Sequence, residues 1–161
     1  MKCRLKKITH LSGNKATIYS VVIGDGDKSL YELFLAENFI LYKSEIIDIN
    51  KRLQIIGKQT GARDIYFKLN EGSPGDGIVA LYDDQKKKLR LYCIKYGTQI
   101  VVIGGGGPKN VKSLQEDPKL KDENYFLRWL SQQITLRQNF DLRFSKDGLD
   151  FIGDLEIEDD K

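Results

Sequence analysis

The chain has 161 residues, of which 40% are hydrophobic, and this is enough to bury the core of one domain. The net charge of +3 combines a basic body with an acidic end, since residues 1–153 hold 25 Lys and Arg against 18 Asp and Glu. No apolar run reaches the length of a membrane span or of a signal peptide, so we expect a cytoplasmic protein without a membrane partner. We predict a single domain over residues 1–153 and an acidic, disordered tail over 154–161.

The cysteine and histidine content limits the kinds of site that the chain can form. Cys3 and Cys93 are far apart in the sequence, and in a cytoplasmic protein we expect both to be reduced strand residues. With His10 as the only histidine, they do not make a conventional zinc site. The DGD sequence at 25–27 is explained by a turn before a helix. We therefore predict no metal and no other cofactor.

The N-terminal third predicts a β-hairpin followed by a helix. Residues 2–10 and 15–23 flank a turn at 12–14, and the second arm is rich in β-branched residues. The GDGD sequence at 24–27 ends the strand and offers an N-cap for a short helix over 28–38. The apolar positions of that helix are Leu30, Leu33 and Phe34.

A second helix is predicted over residues 43–59. Its apolar side chains recur at helical spacing, and Gly61 stands where a glycine often ends a helix. The stripe consists of Ile46, Ile49, Leu53 and Ile56. A stripe of this kind needs an apolar surface to cover.

Four short β-type runs follow within residues 63–109. Three are clear: ARDIYFKLN, GIVALYD and KLRLYCIKYGTQIVVIGGGGPK, the last folded into a hairpin at 96–98. Alternation places Leu89, Leu91 and Cys93 on a face that the two helices cover. The opposite face would then be an open surface of cationic and aromatic side chains, which suits a polyanion better than an apolar ligand.

The glycine run at 104–107 does not have the spacing of a phosphate-binding loop, and Lys109 is not followed by Ser or Thr. Glycines that leave a strand still allow a backbone to approach a phosphate closely. Further on, Asp117 and Pro118 are typical of an N-cap and a first helical residue, so a helix is predicted over 118–138. A hairpin around 146–148 completes the expected elements.

The order of these elements resembles that of the RelE/ParE superfamily of bacterial toxins, and of its RelE/HigB-like branch in particular. The resemblance rests on the segments EIIDINKRLQIIGKQTG, ARDIYFKL and KKLRLYCIKYGTQIVVIGGGGPK. It implies an α+β fold in which a helical pair packs on a small, curved antiparallel sheet. The N-terminal hairpin, the C-terminal helix and the acidic tail would make this chain a divergent and extended member.

In function, the resemblance implies the toxin component of a type II toxin–antitoxin system. Such a toxin is a metal-independent mRNA endoribonuclease, often acting on the ribosome, and is neutralised by an antitoxin, here expected to be of the helix-turn-helix type. By position in the motifs, Arg90 matches the strand arginine, Arg63 the basic residue that opens the earlier strand, and Lys109 the lysine after the last strand.

Face alternation extends this set of candidates. The predicted catalytic residues are Arg90, Arg63, Lys68 and Tyr92. The predicted RNA-binding residues are Lys95, Lys109, Tyr66 and Tyr96. We expect the site to form one open basic face with Arg90 at its centre.

Cleavage of RNA without a metal requires a base for the 2′-hydroxyl, cations for the charge of the phosphorane, and an acid for the leaving oxygen. Arginine supplies the charge well because its planar fork matches phosphate oxygens. The base would be Lys68 or Tyr92, either of which needs its pKa lowered from about 10.

Two other interpretations stay open at this point. One is a catalytically inactive relative of the superfamily that acts as a protein-binding module, with gyrase or an antitoxin as its partner. The other is a nucleic-acid-binding accessory protein of a mobile element, with an unrelated mechanism.

Overall fold

The computed structural model describes residues 1–84, 86–109 and 117–159, which form a mixed α+β fold. Within these residues the helices are α1 (Leu30–Asn38), α2 (Lys43–Ile55) and α3 (Pro118–Arg137). The strands are β1 (Lys2–Lys7), β2 (Thr17–Ile23), β3 (Phe67–Lys68), β4 (Ile78–Leu81), β5 (Leu89–Tyr96), β6 (Ile100–Pro108), β7 (Leu142–Phe144), β8 (Phe151–Gly153) and β9 (Glu156–Glu158).

Seven of the described strands form one sheet in the order β3-β4-β5-β6-β2-β1-β9. Neighbouring strands are antiparallel except β2 and β6, which are parallel with Thr17 opposite Ile100. The prediction of a small antiparallel sheet is therefore wrong in size and in one pairing. The reason is that the N-terminal hairpin joins the sheet at β6 and extends it, where the sequence suggested a separate addition.

The predicted helical pair covers one face of the sheet, and its α2 stripe is confirmed. The four apolar residues of that stripe are buried in one core with Leu89, Leu91 and Cys93 of β5. After α2 the chain makes a π-helical turn at Ile56–Thr60, which ends at Gly61 with φ of +78°. Glycine suits this end because the left-handed region is open to it without strain.

Helix α1 begins later than the GDGD sequence suggested. Its N-cap is Ser29, whose hydroxyl accepts from the N–H of Glu32, while the Glu32 carboxylate accepts from the N–H of Ser29. This reciprocal capping box satisfies two donors that the helix itself leaves unpaired. The buried face carries Tyr31 and Phe34, whereas Leu33 is exposed.

Helix α3 and the β7–β8 hairpin pack on the other face of the sheet. As predicted, α3 begins at Pro118, and the Asp117 carboxylate accepts from the N–H of Leu120. Together these elements enclose a second core that contains Tyr92 and Ile94 of β5. The expectation of an open face is therefore wrong, and Tyr92 is only 1% exposed.

The C-terminal segment differs from the disordered tail that its acidity predicts. Strand β9 pairs with β1, with Ile157 opposite Cys3, and Ile157 is fully buried. The alternation of Glu156, Ile157 and Glu158 keeps both carboxylates exposed while one apolar side chain enters the core. Residues 160 and 161 of the predicted tail lie outside the described residues.

The predicted strand ARDIYFKLN, residues 62–70, is mostly not a strand. Residues Asp64–Tyr66 form a 3₁₀ turn, and only Phe67 and Lys68 pair with β4. Phe67 is buried, whereas Ile65 and Leu69 are exposed, so these three residues do not share one apolar face. The turn also changes where Arg63 lies.

Across the described residues, no helix is both long enough and apolar enough to cross a membrane.

Candidate functional site

In the described part of the chain, three cationic side chains meet at the buried carboxylate of Asp83. Lys68 Nζ lies 3.0 Å from Asp83 Oδ1, and Lys109 Nζ and Arg90 Nη2 lie 2.7 and 3.4 Å from Oδ2. Arg90 Nη1 lies 4.0 Å from Oε1 of Glu71. We call Lys68, Glu71, Asp83, Arg90 and Lys109 the Asp83 cluster.

The sheet brings these residues together because the relevant ends of its strands meet. Lys68 ends β3, Asp83 follows the end of β4, Arg90 is near the start of β5, and Lys109 follows β6. In the register, Lys68 lies opposite Ala80, and Ala80 opposite Tyr92. Lys68 and Arg90 therefore share the face toward α3, as alternation predicts.

Helix α2 holds the backbone beside the cluster from the other face. The Glu45 carboxylate accepts from the N–H groups of Lys88 and Leu89, at 2.8 and 3.2 Å, directly before Arg90. Arg52 Nη1 donates to the carbonyl of Tyr82 at 2.8 Å, directly before Asp83. Helix α2 is thus hydrogen-bonded to the backbone next to both Asp83 and Arg90, the two residues of the central ion pair.

Helix α3 anchors the loop that carries Glu71. The Glu71 carbonyl accepts from Asn124 Nδ2 at 2.9 Å and from Arg128 Nη2 at 3.3 Å. The Arg128 guanidinium also donates to Asn124 Oδ1, at 2.7 Å, and Asn124 is fully buried. The backbone at Glu71 is therefore fixed, while its carboxylate stays partly exposed next to Arg90.

The glycine run at 104–107 belongs to β6 and explains how closely this strand is packed. A side chain at Gly104 would collide with Leu127 of α3, and one at Gly106 would collide with the Arg90 carbonyl oxygen. The pairing with β5 also slips here, between Leu91 and Cys93. The glycines thus allow close packing beside the cluster, which is a sufficient reason for their presence.

Electrostatics keeps Arg90 charged and Tyr92 neutral. Burial lowers the pKa of the Arg90 guanidinium, but the Asp83 carboxylate, with Tyr92 and Glu71, raises this pKa above its ordinary value. Burial raises the pKa of the Tyr92 phenol, and the charge of Arg90 offsets only part of that effect. A catalytic Tyr92 base would require the opposite shift.

Two buried atoms of the cluster lack a hydrogen-bond partner among the described residues: Asp83 Oδ1 and Arg90 Nε. Lys68 Nζ is close to that Asp83 oxygen, but it does not approach in hydrogen-bonding geometry. The Asp83 side chain is only 4% exposed, and the ion pair with Lys68 compensates this oxygen for its burial. Both atoms are buried, so neither is open to a ligand.

The structure places several predicted residues away from the cluster. Arg63 is exposed and follows Ala62, whose N–H donates to the carbonyl of Thr98 in the β5–β6 turn. This turn is at the far end of β5 from Arg90, on the order of 20 Å away at the usual rise of a strand. Arg63 thus lies at the wrong end of the sheet to join Arg90.

Three predicted RNA-binding residues are also engaged elsewhere. Lys95 Nζ pairs with Asp64 Oδ1 at 3.0 Å and donates to the Gly97 carbonyl. Tyr66 packs against the core under α1 and α2. Tyr96 packs against Phe144 and Phe151, and burial raises the pKa of its phenol. Of the predicted RNA-binding set, only Lys109 belongs to the Asp83 cluster.

Sequence reasoning missed the two carboxylates, Asp83 and Glu71. Both stand in stretches that read as solvated loops, YDDQKKK and NEGSPGDG. A usable signal was the position of Asp83 just after β4, because antiparallel neighbours often pair opposite charges across strands. With the two carboxylates included, the cluster carries one net positive charge.

The chemistry of this arrangement is that of a partly neutralised cation site. No group of three or more His, Cys, Asp and Glu side chains in the described ranges is placed to hold a metal ion. A guanidinium and two ammonium groups held by strands are suited to binding phosphate oxygens and to stabilising negative charge. The partly exposed carboxylate of Glu71 adds a group able to accept a proton.

Comparisons of the chain with models of protein families, with curated proteins and with solved structures find no match. The likeness to RelE/ParE toxins therefore stays a prediction that rests on the three quoted segments. The mixed α+β fold and the geometry of the Asp83 cluster are the observations from which function is argued.

Proposed function

We propose that this chain is the toxin component of a type II toxin–antitoxin system and cleaves mRNA at the Asp83 cluster. The observation that carries the proposal is the convergence of Lys68, Arg90 and Lys109, from three strands, at one end of the sheet. Cations held by strands are fixed before the substrate arrives, so little reorganisation is needed as negative charge develops. An RNA phosphodiester is a substrate that such an array fits.

In this proposal Arg90 stabilises the phosphorane. Its guanidinium is the central cation of the cluster, and the side chain is 23% exposed. A phosphate oxygen at the exposed part of the guanidinium would gain from the fork geometry of arginine. The ammonium groups of Lys68 and Lys109 flank the same position, and one of them protonates the leaving 5′-oxygen.

Glu71 takes the role of the base in place of Lys68 or Tyr92. Tyr92 is buried and neutral, and the Lys68 ammonium is paired with Asp83. Glu71 offers a partly exposed carboxylate beside Arg90 on a backbone that α3 holds in place. A carboxylate in this position accepts the 2′-hydroxyl proton without any prior loss of a proton.

A second candidate function is the non-catalytic, protein-binding one, and a separate surface favours it. The turn between α1 and α2 exposes Phe39, Ile40 and Leu41, and Ile40 is 89% exposed. Neighbouring apolar side chains at a loop tip are typical of surfaces that contact other proteins. An antitoxin or another protein bound there would not require any chemistry at Arg90.

Expression in a bacterial host separates the two candidates. Induced wild-type chain should arrest growth, the product of the adjacent gene should rescue it, and the purified chain should cleave RNA in the presence of EDTA. Arg90→Lys should abolish both arrest and cleavage because a lysine keeps the charge but loses the fork. If Arg90→Lys still arrests growth while the paired change Ile40→Asp and Leu41→Asp does not, the protein-binding function is the correct one.

A further inference from the structure

The position of Asp83 is at odds with simple phosphate binding. A carboxylate at the centre of three cations repels the phosphate that those cations attract. It also lowers the net charge of the cluster from two positive charges to one. A site selected for phosphate affinity alone would bind phosphate more tightly without Asp83.

The structure nevertheless builds this carboxylate into the fold. Asp83 is nearly fully buried, and α2 fixes the chain just before it through the bond from Arg52 to the Tyr82 carbonyl. Lys68 and Lys109 come from segments that do not pair with each other, and both reach the same carboxylate. Without Asp83, the ammonium groups and the guanidinium would repel one another and spread into solvent.

We propose that Asp83 is a positioning residue that holds Lys68, Arg90 and Lys109 in the array that grips one RNA phosphodiester, and that it weakens phosphate binding in doing so. This inference rests on the proposed RNA-cleaving function. Its rationale is that fixed geometry contributes more to the reaction than one extra unit of charge contributes to binding. Asp83 itself makes no contact with the reacting atoms in this account.

Glu71 does not fill this role. The Glu71 carboxylate is partly exposed, and its Oε1 lies 4.0 Å from Arg90 Nη1. By contrast, Asp83 lies within 3.4 Å of all three cations and is shielded from water. The attraction between opposite charges is stronger where water is excluded, and the loss of one partner of such a pair is costly.

The test compares Asp83→Asn with a matched control, Asp64→Asn. Asp64 also pairs with a lysine, Lys95, but at the other end of β5 and with an exposed side chain. Thermal melts first establish that each variant is folded. Binding is then measured with a 2′-O-methyl oligoribonucleotide, which cannot be cleaved, and the reaction with a cleavable RNA at saturating protein.

For Asp83→Asn we expect the two readouts to move in opposite directions. The oligoribonucleotide should bind several-fold more tightly at low salt, because the cluster gains a net positive charge. Cleavage at saturation should slow by about 10²-fold, as expected when reacting groups lose their alignment. Asp64→Asn should match the wild type in both readouts. If Asp83 served general stability alone, its loss would not change binding and cleavage rate in opposite directions.

Cleavage at the wild-type rate by folded Asp83→Asn overturns the inference, and so does equal or weaker binding of the oligoribonucleotide. If Asp83→Asn does not fold, Asp83→Glu keeps the charge but shifts the carboxylate, and wild-type cleavage by that variant overturns it equally. If the wild-type chain cleaves no RNA, the proposed function fails. The binding comparison then decides whether Asp83 is the counter-ion of a phosphate site.

Discussion

The two ends of β5 differ sharply although they follow the same alternation. Arg90, Tyr92, Ile94 and Tyr96 all point toward the α3 side of the sheet. At one end Arg90 meets the carboxylates of Asp83 and Glu71. At the other end Tyr96 packs edge to face against aromatic rings of the β7–β8 hairpin, with ring centres 5.4 and 5.6 Å apart.

The difference comes from what covers each end. The β7–β8 hairpin supplies Phe144 and Phe151 over the Tyr96 end, so that end is apolar. The Arg90 end receives charged side chains from the ends of neighbouring strands and stays partly open, with Arg90 23% exposed. Alternation thus determines which face of the sheet a residue lies on. The elements that pack over that face determine whether the residue is part of the core or of a site.

The largest expected effect is on the rate of RNA cleavage, which should fall when Arg90 is replaced but not when Arg63 is replaced. Arg90→Ala should lower the rate of RNA cleavage by about 10³-fold, because it removes the main stabilising charge. Arg63→Ala should stay within about two-fold of the wild type, since Arg63 lies near the distant turn and the loss of a single exposed charge has little effect. Single-turnover cleavage in EDTA measures both.

Arg90→Ala should also cost about 1–3 kcal/mol of stability, since Arg90 pairs with a buried carboxylate. The sequence alone suggests an exposed arginine with almost no such cost. Arg90→Lys is therefore the better probe of chemistry. An equal loss of cleavage in the Arg63 and Arg90 variants would mean that the charged end has no special role.

Substitutions at the apolar, Tyr96 end of β5 should change the stability of the fold and not the rate of RNA cleavage. Phe151→Ala removes a ring that contacts Tyr19, Tyr96 and Phe144, and it should lower the free energy of unfolding by about 3–5 kcal/mol. Phe140→Ala is a matched control, since Phe140 is 76% exposed and its loss should change stability by less than about 0.5 kcal/mol. Urea unfolding measures both, and a loss below about 1 kcal/mol for Phe151→Ala would contradict the description of this end as a core.

The same end should make the chain sensitive to alkali. Burial raises the pKa of Tyr19 from 10.0 to about 12, and the Asp150 carboxylate adds to the rise while the Phe151 N–H opposes it. The unfolded chain therefore loses the Tyr19 proton first, and stability falls between pH 10 and 12, by about 2–3 kcal/mol for this residue. Tyr19→Phe should fall less steeply across that range, and a fall identical to that of the wild type would show that Tyr19 does not contribute.

The smallest expected effect is on the salt dependence of RNA binding. Lys109→Ala should reduce the slope of log affinity against log salt for a 2′-O-methyl oligoribonucleotide by about 0.7, the value for one phosphate contact to a single strand. Lys95→Ala should leave the slope unchanged, because Lys95 lies near the end of β5 that is distant from the Asp83 cluster. Equal changes in both slopes would place RNA along the whole of β5.

Local patterns in the sequence were enough to predict much of the fold. The α2 stripe, the cap at Asp117 and the β5–β6 turn depend on neighbouring residues, and all three are confirmed, although the turn lies at 97–99 and was predicted at 96–98. Alternation likewise brought Lys68 and Arg90 to one face of the sheet, because that inference needs only the period of a strand. The features that local pattern decides were therefore accessible.

Features that depend on distant contacts were not accessible in the same way. The cover over Tyr92 comes from α3, the pairing partner of β9 is β1, and the burial of Asp83 requires the ends of four strands. Arg63 was misplaced because residues 64–66 form a 3₁₀ turn and not a strand. A carboxylate in a loop-like sequence carries no local sign that it will be buried.

A map of where RNA binds tests most directly whether the Asp83 cluster is the RNA site. Backbone amide chemical shifts of the wild-type chain would be followed during titration with a 2′-O-methyl oligoribonucleotide. We predict shifts concentrated at Lys68, Glu71, Asp83, Arg90 and Lys109, with the turn at 97–99 and the α1–α2 tip unaffected. Shifts confined to that turn or to that tip, with none at Arg90, would contradict it.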